Sequence, residues 1–211
     1  MKVAEELSSS GQQPERRPLL AESLLSDPRF YQLLPRFDED LAQEARKRGC
    51  PCGGRLHWAV YPRKPRGIPR DVEAAYRRRA SFCCSRKGVC RRRTTPPSLR
   101  FLGRRVYVSV VVVLISAMRE GITERRAAGL RAHVDIGVRT LRRWRSWWLE
   151  TFPHTPFWKA ASGRVLPPVD LKDIPASLLK RFTGSSPGDR LIRLLQFLGP
   201  LTAGSRWAMA P

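Results

Sequence analysis

The chain has 211 residues and carries 40 Lys plus Arg against 18 Asp plus Glu, a formal charge of +22. A hydrophobic content of 42% permits a packed core and argues against wholesale disorder. So large a positive excess repels itself unless an anionic partner is present, and nucleic acid is the commonest such partner. The charge is also clustered: between Arg77 and Arg105 there is no acidic residue, while eleven positions are Lys or Arg.

Residues 1–36, rich in Ser, Gln, Pro and Glu, predict a mobile arm with "LLAESLL" and "FYQLL" as short docking turns. "MKVAEELSSSGQQPERR" lacks the apolar core of a secretory signal, so the expected location is a reducing cytoplasm. "FDEDLAQEARKRG" then predicts a helix from Asp38 to Arg48, with acids in its first turn, bases in its last, and Gly49 to end it.

Five cysteines follow in two groups, Cys50 and Cys52, then Cys83, Cys84 and Cys90. An odd count without a signal peptide argues against a disulfide framework. Neither group has the C-x-x-C spacing of a thioredoxin-like redox site. Two short groups about thirty residues apart suit a zinc ribbon, in which two loops each donate two thiolates to one tetrahedral ion. The expected zinc ligands are Cys50, Cys52, Cys84 and Cys90, with Cys83 as a substitute for Cys84 and His57 as a replacement for one thiolate. Buried free thiols without metal are the alternative. Gly49, Gly53 and Gly54 are expected to give the first loop its positive φ angles. "LHWAV" alternates Leu56, Trp58 and Val60 on one face, as a half-buried strand does. "YPRKPRGIPR" reads as a Pro-broken basic loop, and "DVEAAYRRRA" as one or two helical turns. Arg91, Arg92 and Arg93 are expected to meet phosphates. Thr95, Pro96 and Pro97 close this module, which spans residues 37–100.

Residues 101–152 predict three helices. The first covers Val106 to Glu120; its apolar run to Met118 is well short of the ~20 residues that cross a bilayer. The second begins after Thr123 and buries Ala127, Leu130 and Val134. The third, "VRTLRRWRSWWLETF", places Leu141, Trp144, Trp148 and Phe152 on one face. Arg139 and Arg143 lie on a second stripe and Arg142 and Arg145 on a third, while Thr140, early in the helix, is expected to reach either a phosphate or a base edge. In a helix-turn-helix unit the last helix enters the major groove, where Arg can donate two bonds to a guanine. Arg125 and Arg126 of the second helix are expected to hold phosphates. Trp147, off the apolar stripe, is expected either to pack on the C-terminal segment or to stack on an unpaired base.

Together, "CPCGGRLHWAVYPRKPRG", "FCCSRKGVCRRRTTPPS" and "GVRTLRRWRSWW" resemble the zinc-ribbon plus helix-turn-helix regions of bacterial insertion-element transposases. They are also similar to small DNA-binding proteins encoded beside transposases. The resemblance covers roughly residues 49–152 and implies recognition of a mobile-element end by the third helix. Gly137 stands where that family's turn places a hydroxyl cap.

Residues 153–211 predict a short helical extension. A transposase nuclease needs three converging carboxylates to hold two metal ions. Only Asp170, Asp173 and Asp189 follow Phe152, in Pro- and Gly-containing stretches that read as short helices with capping acids and without a strand pattern. The leucines from Leu178 to Leu198 are expected either to close the helical core or to dock a partner, a transposase or a second copy. The fold expected is mainly α with a small β zinc-ribbon. The function expected is non-enzymatic binding of duplex DNA, with no membrane and no small-molecule substrate. An RNA-binding zinc protein and a transposase lacking its nuclease domain are the alternatives.

Overall fold

The fold is that of a computed structural model, which describes residues 24–25, 27–65, 68, 72–102, 108–109, 112–113 and 136–203. The predicted first and second helices of the trihelical unit, and with them Arg125 and Arg126, lie almost wholly outside these residues.

Helix α1 runs from Pro28 to Arg48, so it starts ten residues before the expected Asp38. Asp27 caps it by accepting the Arg29 amide at 2.9 Å, and Pro28 occupies the first helical position, where no amide partner is needed. Arg46, Lys47 and Arg48 in the last turn complement the helix dipole. Pro35 lies inside the helix and has no N–H for the carbonyl of Tyr31, four residues earlier. That carbonyl instead accepts the hydroxyl of buried Tyr76 at 2.9 Å. A long-range contact thus replaces the missing helical bond.

The β element is longer than its separate strands suggest. Strand β1 (Leu56–Trp58) pairs antiparallel with β4 (Phe82–Cys84). Strand β2 (Tyr61–Pro62) pairs with β3 (Arg78–Arg79) in the same register, Tyr61 opposite Arg79 as Trp58 is opposite Phe82. The Ala59 amide donates to Ser81 at 2.8 Å and joins the two ladders; Ser85 N–H to Arg55 and Arg63 N–H to Arg77 extend them at either end. The expected basic loop therefore begins as strand, with Pro62 tolerated on an edge that needs no amide from it. Helix α2 (Glu73–Tyr76) lies in the connection, and β5 (Arg93–Thr94) adds a third strand beside β4.

Two cores result, and α1 spans both. Its N-terminal half puts Phe30, Tyr31 and Leu34 into the main core, while Ala42 and Ala45 pack with Cys50, Leu56, Phe82 and Cys84. Between them sits Asp38, 5% exposed. It accepts bonds from Ser98 Oγ at 2.5 Å, the Leu99 amide at 2.6 Å and Arg100 Nε at 2.7 Å. Losing one partner of such a buried pair costs about 3–5 kcal/mol, because the other charge is left stranded. Arg79 reaches Thr202 O at 2.5 Å, pinning the ribbon to the C-terminal segment. Burial draws its pKa down to about 10, against the pull of Asp38.

Helix α3 (Val138–Ser146) starts at Gly137 without a side-chain cap and runs into a π-helical turn, Trp147–Thr151. Leu141, Trp144, Trp148 and Phe152 are buried, as the 3.6-residue period requires. Trp147 packs edge-on against Trp148 at 4.9 Å and tilted against Phe152 at 5.6 Å. It is half-buried and packs against the main core. Helices α4 (Pro156–Ala161), α5 (Ala176–Leu179) and α6 (Pro187–Leu198) follow. Leu178, Leu191, Leu194, Leu195 and Leu198 are buried in the main core, so these helices close it. Asp170 caps a 3-10 turn through the Lys172 amide, and Asp189 forms a capping box with Ser186. Among the described residues, no helix is long and apolar enough to cross a membrane.

Candidate metal centre

Cys50 follows directly on α1, whose end is set by Gly49 at φ 74°. The chain then turns back on itself: the Gly53 amide donates to Cys50 O at 2.8 Å and the Cys50 amide to Gly54 O at 2.9 Å. Gly53, at φ 79°, takes a backbone that a side chain would strain. This turn brings Cys52 beside Cys50. On the facing strand Cys84 ends β4. The loop after it returns Cys90 through Cys90 N–H to Arg86 O at 3.0 Å, with Gly88 at φ 87°.

Four sulfurs meet where these loops face each other. The Sγ atoms of Cys50, Cys52, Cys84 and Cys90 all lie within 4.8 Å of one another. Cys50 is 3.7 Å from Cys90 and Cys52 is 3.4 Å from Cys84. A tetrahedral ion with metal–sulfur bonds of ~2.3 Å sets its sulfurs about 3.8 Å apart, so the cluster has the size of a four-thiolate site. The four residues could hold a metal ion.

The choice between Cys83 and Cys84 follows from the pleat. Successive strand residues point to opposite faces. Cys84 shares a face with Leu56 and Phe82, toward α1, whereas Cys83 opposes His57 on the other. His57 is exposed on that far face and supplies no ligand.

Gly54 plays a part that its sequence context hides. Unlike Gly49 and Gly53 it has no positive φ, which corrects the conformational role expected for it. A Cβ there would lie 2.6 Å from Cys84 Sγ and 3.4 Å from Cys52 Sγ. Its requirement is space, because the sulfurs occupy the volume where a side chain would be.

The thiols interact strongly. The Gly54 amide, then the Cys84 thiol, lowers Cys52 to about 7. The Arg86 amide, 3.5 Å from Cys84 Sγ, draws Cys84 down, but burial and the other thiols push it up to about 12. At Cys50 the Cys52 amide pulls downward most strongly, and burial with the Cys52 and Cys90 thiols leaves the group raised. Four sulfurs this close cannot all ionise on their own. A divalent cation, if bound, would remove the conflict by taking all four as thiolates, with release of protons. Arg86 lies along the first loop, its guanidinium 3.7 Å from the Gly53 Cβ position, and offsets part of the negative charge such a centre carries.

The other expected site residues stand as follows. On α3, Arg139, Arg142 and Arg143 are exposed, while Thr140 and Arg145 are half-buried. Arg91, Arg92 and Arg93 are all exposed at the ribbon's third strand. Compared with protein-family models, curated proteins and solved structures, the chain matches none.

Proposed function

We propose that this chain is a zinc-stabilised DNA-binding protein associated with a transposon or insertion element, without catalysis of its own. The observation that carries the reading is the meeting of four thiols within 4.8 Å inside a segment that has almost no acids and many arginines. Four soft thiolates in a tetrahedral arrangement suit zinc, and four protein ligands leave no open position for substrate, which is the pattern of a structural site. The zinc would lock the two loops together and so fix the strands that present the basic side chains. Helix α3 buries its tryptophan face and turns Arg139, Arg142 and Arg143 outward, an arrangement that suits base reading in a major groove. Asp170 and Asp189 act as helix caps, which supports the non-enzymatic reading.

The test joins metal analysis of untagged protein with gel-shift titration on a duplex selected from random sequence. Zinc at one ion per chain is expected. Arg142→Ala or Arg143→Ala should each weaken the selected duplex by about 1–3 kcal/mol per lost base contact. Unchanged affinity in both variants would remove α3 as the reader. Competition with structured RNA separates the DNA reading from the RNA alternative.

A further inference from the structure

The continuous register of the ribbon sorts its arginines between two faces, and the two faces have different surroundings. Leu56, Phe82 and Cys84 share one face and pack against Ala42 and Ala45 of α1. Arg78 and Arg92 fall on this face by alternation; Arg92 still belongs to the ladder, since its carbonyl accepts the Cys84 amide at 3.1 Å. His57, Cys83 and Arg93 form a row across three strands on the opposite face. Arg55 joins them one step along β1, its carbonyl paired with the Ser85 amide. Arg55, His57 and Arg93 are exposed, as are Arg78 and Arg92, and among the described residues no ion pair links any of these four arginines to a carboxylate. Arg79 and Ser81 fall on the second face by alternation but are buried, Arg79 against Thr202, so the open part of that face is its β1–β4–β5 end.

We infer that the β1–β4–β5 end of this face, led by Arg55 and Arg93, is the surface that holds the phosphate backbone of a duplex, and that Arg78 and Arg92, exposed but on the face where α1 packs, take no part. The inference rests on the nucleic-acid reading above and refines it, because it divides the run Arg91–Arg93 that sequence treats as one. Arg93 is already positioned: its guanidinium lies 4.7 Å above the Tyr61 ring, which limits the freedom it would lose on binding a phosphate. The same contact argues for a duplex over a single strand. Binding of unpaired bases relies on open aromatic platforms. Here the tyrosine of this face is covered by Arg93, and the half-exposed indole of Trp58 lies on the other face, tilted against Phe82 at 4.8 Å. The open face thus offers cations without a free tyrosine or tryptophan.

The experiment compares two charge-matched double variants of the full, metal-loaded chain, Arg55→Gln/Arg93→Gln and Arg78→Gln/Arg92→Gln. Affinity for a fluorescent duplex, and for its separated strand, is measured against salt concentration. Each phosphate contact contributes about 0.9 to the slope of log affinity against log salt. The open-face pair should therefore lower the duplex slope by about 1.8 on selected and unselected sequences alike, and the other pair should leave it unchanged. Arg55→Lys/Arg93→Lys should keep the slope, and metal content with circular dichroism checks that all variants fold. Equal losses from both pairs, or none from either, would overturn the face assignment while leaving duplex binding intact. Tighter binding of the single strand through Arg55 and Arg93 would overturn the choice of duplex. A native chain that ignores both probes would remove the nucleic-acid reading itself.

Discussion

Tyr76→Phe isolates the contact that lets α1 pass through Pro35. Tyr76 is fully buried, and its hydroxyl is the donor that reaches the Tyr31 carbonyl at 2.9 Å. The substitution keeps the ring and its packing against Tyr31 and Phe101, at 6.3 and 6.0 Å, so the cavity contribution is small. What is lost is the partner of a buried carbonyl whose helical donor is a proline, a loss of about 1–3 kcal/mol. Taking about 2 kcal/mol, and roughly 2–4 °C per kcal/mol for a chain of this size, the midpoint of thermal unfolding should fall by about 4–8 °C. Circular dichroism on the metal-loaded protein reads it. Pro35→Ala supplies an amide at the missing position, so in that background Tyr76→Phe should cost about 1 kcal/mol or less. If Tyr76→Phe costs the same whether residue 35 is Pro or Ala, the hydroxyl is not standing in for the helix bond and the reasoning fails.

Further expectations concern the metal centre and pH. Gly54→Ala should abolish stoichiometric metal binding, because its Cβ would displace Cys84 Sγ from 2.6 Å while ligand distances tolerate only about 0.2 Å; metal analysis showing one tightly held ion per chain would contradict this. Cys84→Ser should lose the ion and Cys83→Ser should retain it, as thiol titration before and after chelation would reveal; equal effects would mean the strand register is wrong. Burial raises the pKa of Tyr31 and Tyr76 above the usual tyrosine value of about 10. Their contribution to stability is then complete below pH ~10 and is lost as pH rises from there toward the folded values. Tyrosinate absorbance should show these two ionising only as the fold is lost. Normal titration near pH 10 with the far-ultraviolet spectrum intact would refute it.

Much of the centre can be read locally. Cysteine spacing and the glycines around Cys50 point to a chelating loop, because a short loop that binds an ion needs thiols and turn residues within a few positions. The buried stripe Leu141, Trp144, Trp148 and Phe152 is equally local, since the helix period fixes which residues share a face. Other features depend on partners distant in the chain. The start of α1 at Pro28 is hidden because Pro35 argues against a continuing helix, and the group that compensates is Tyr76, 45 residues away. The selection of Cys84 over Cys83, and the separation of Arg93 from Arg92, need the pairing register, which two strands establish jointly. That the leucines of α6 are buried within this chain depends on the surface they meet. Periodicity in a sequence tells which side of an element is apolar; what covers that side is a property of the assembled chain.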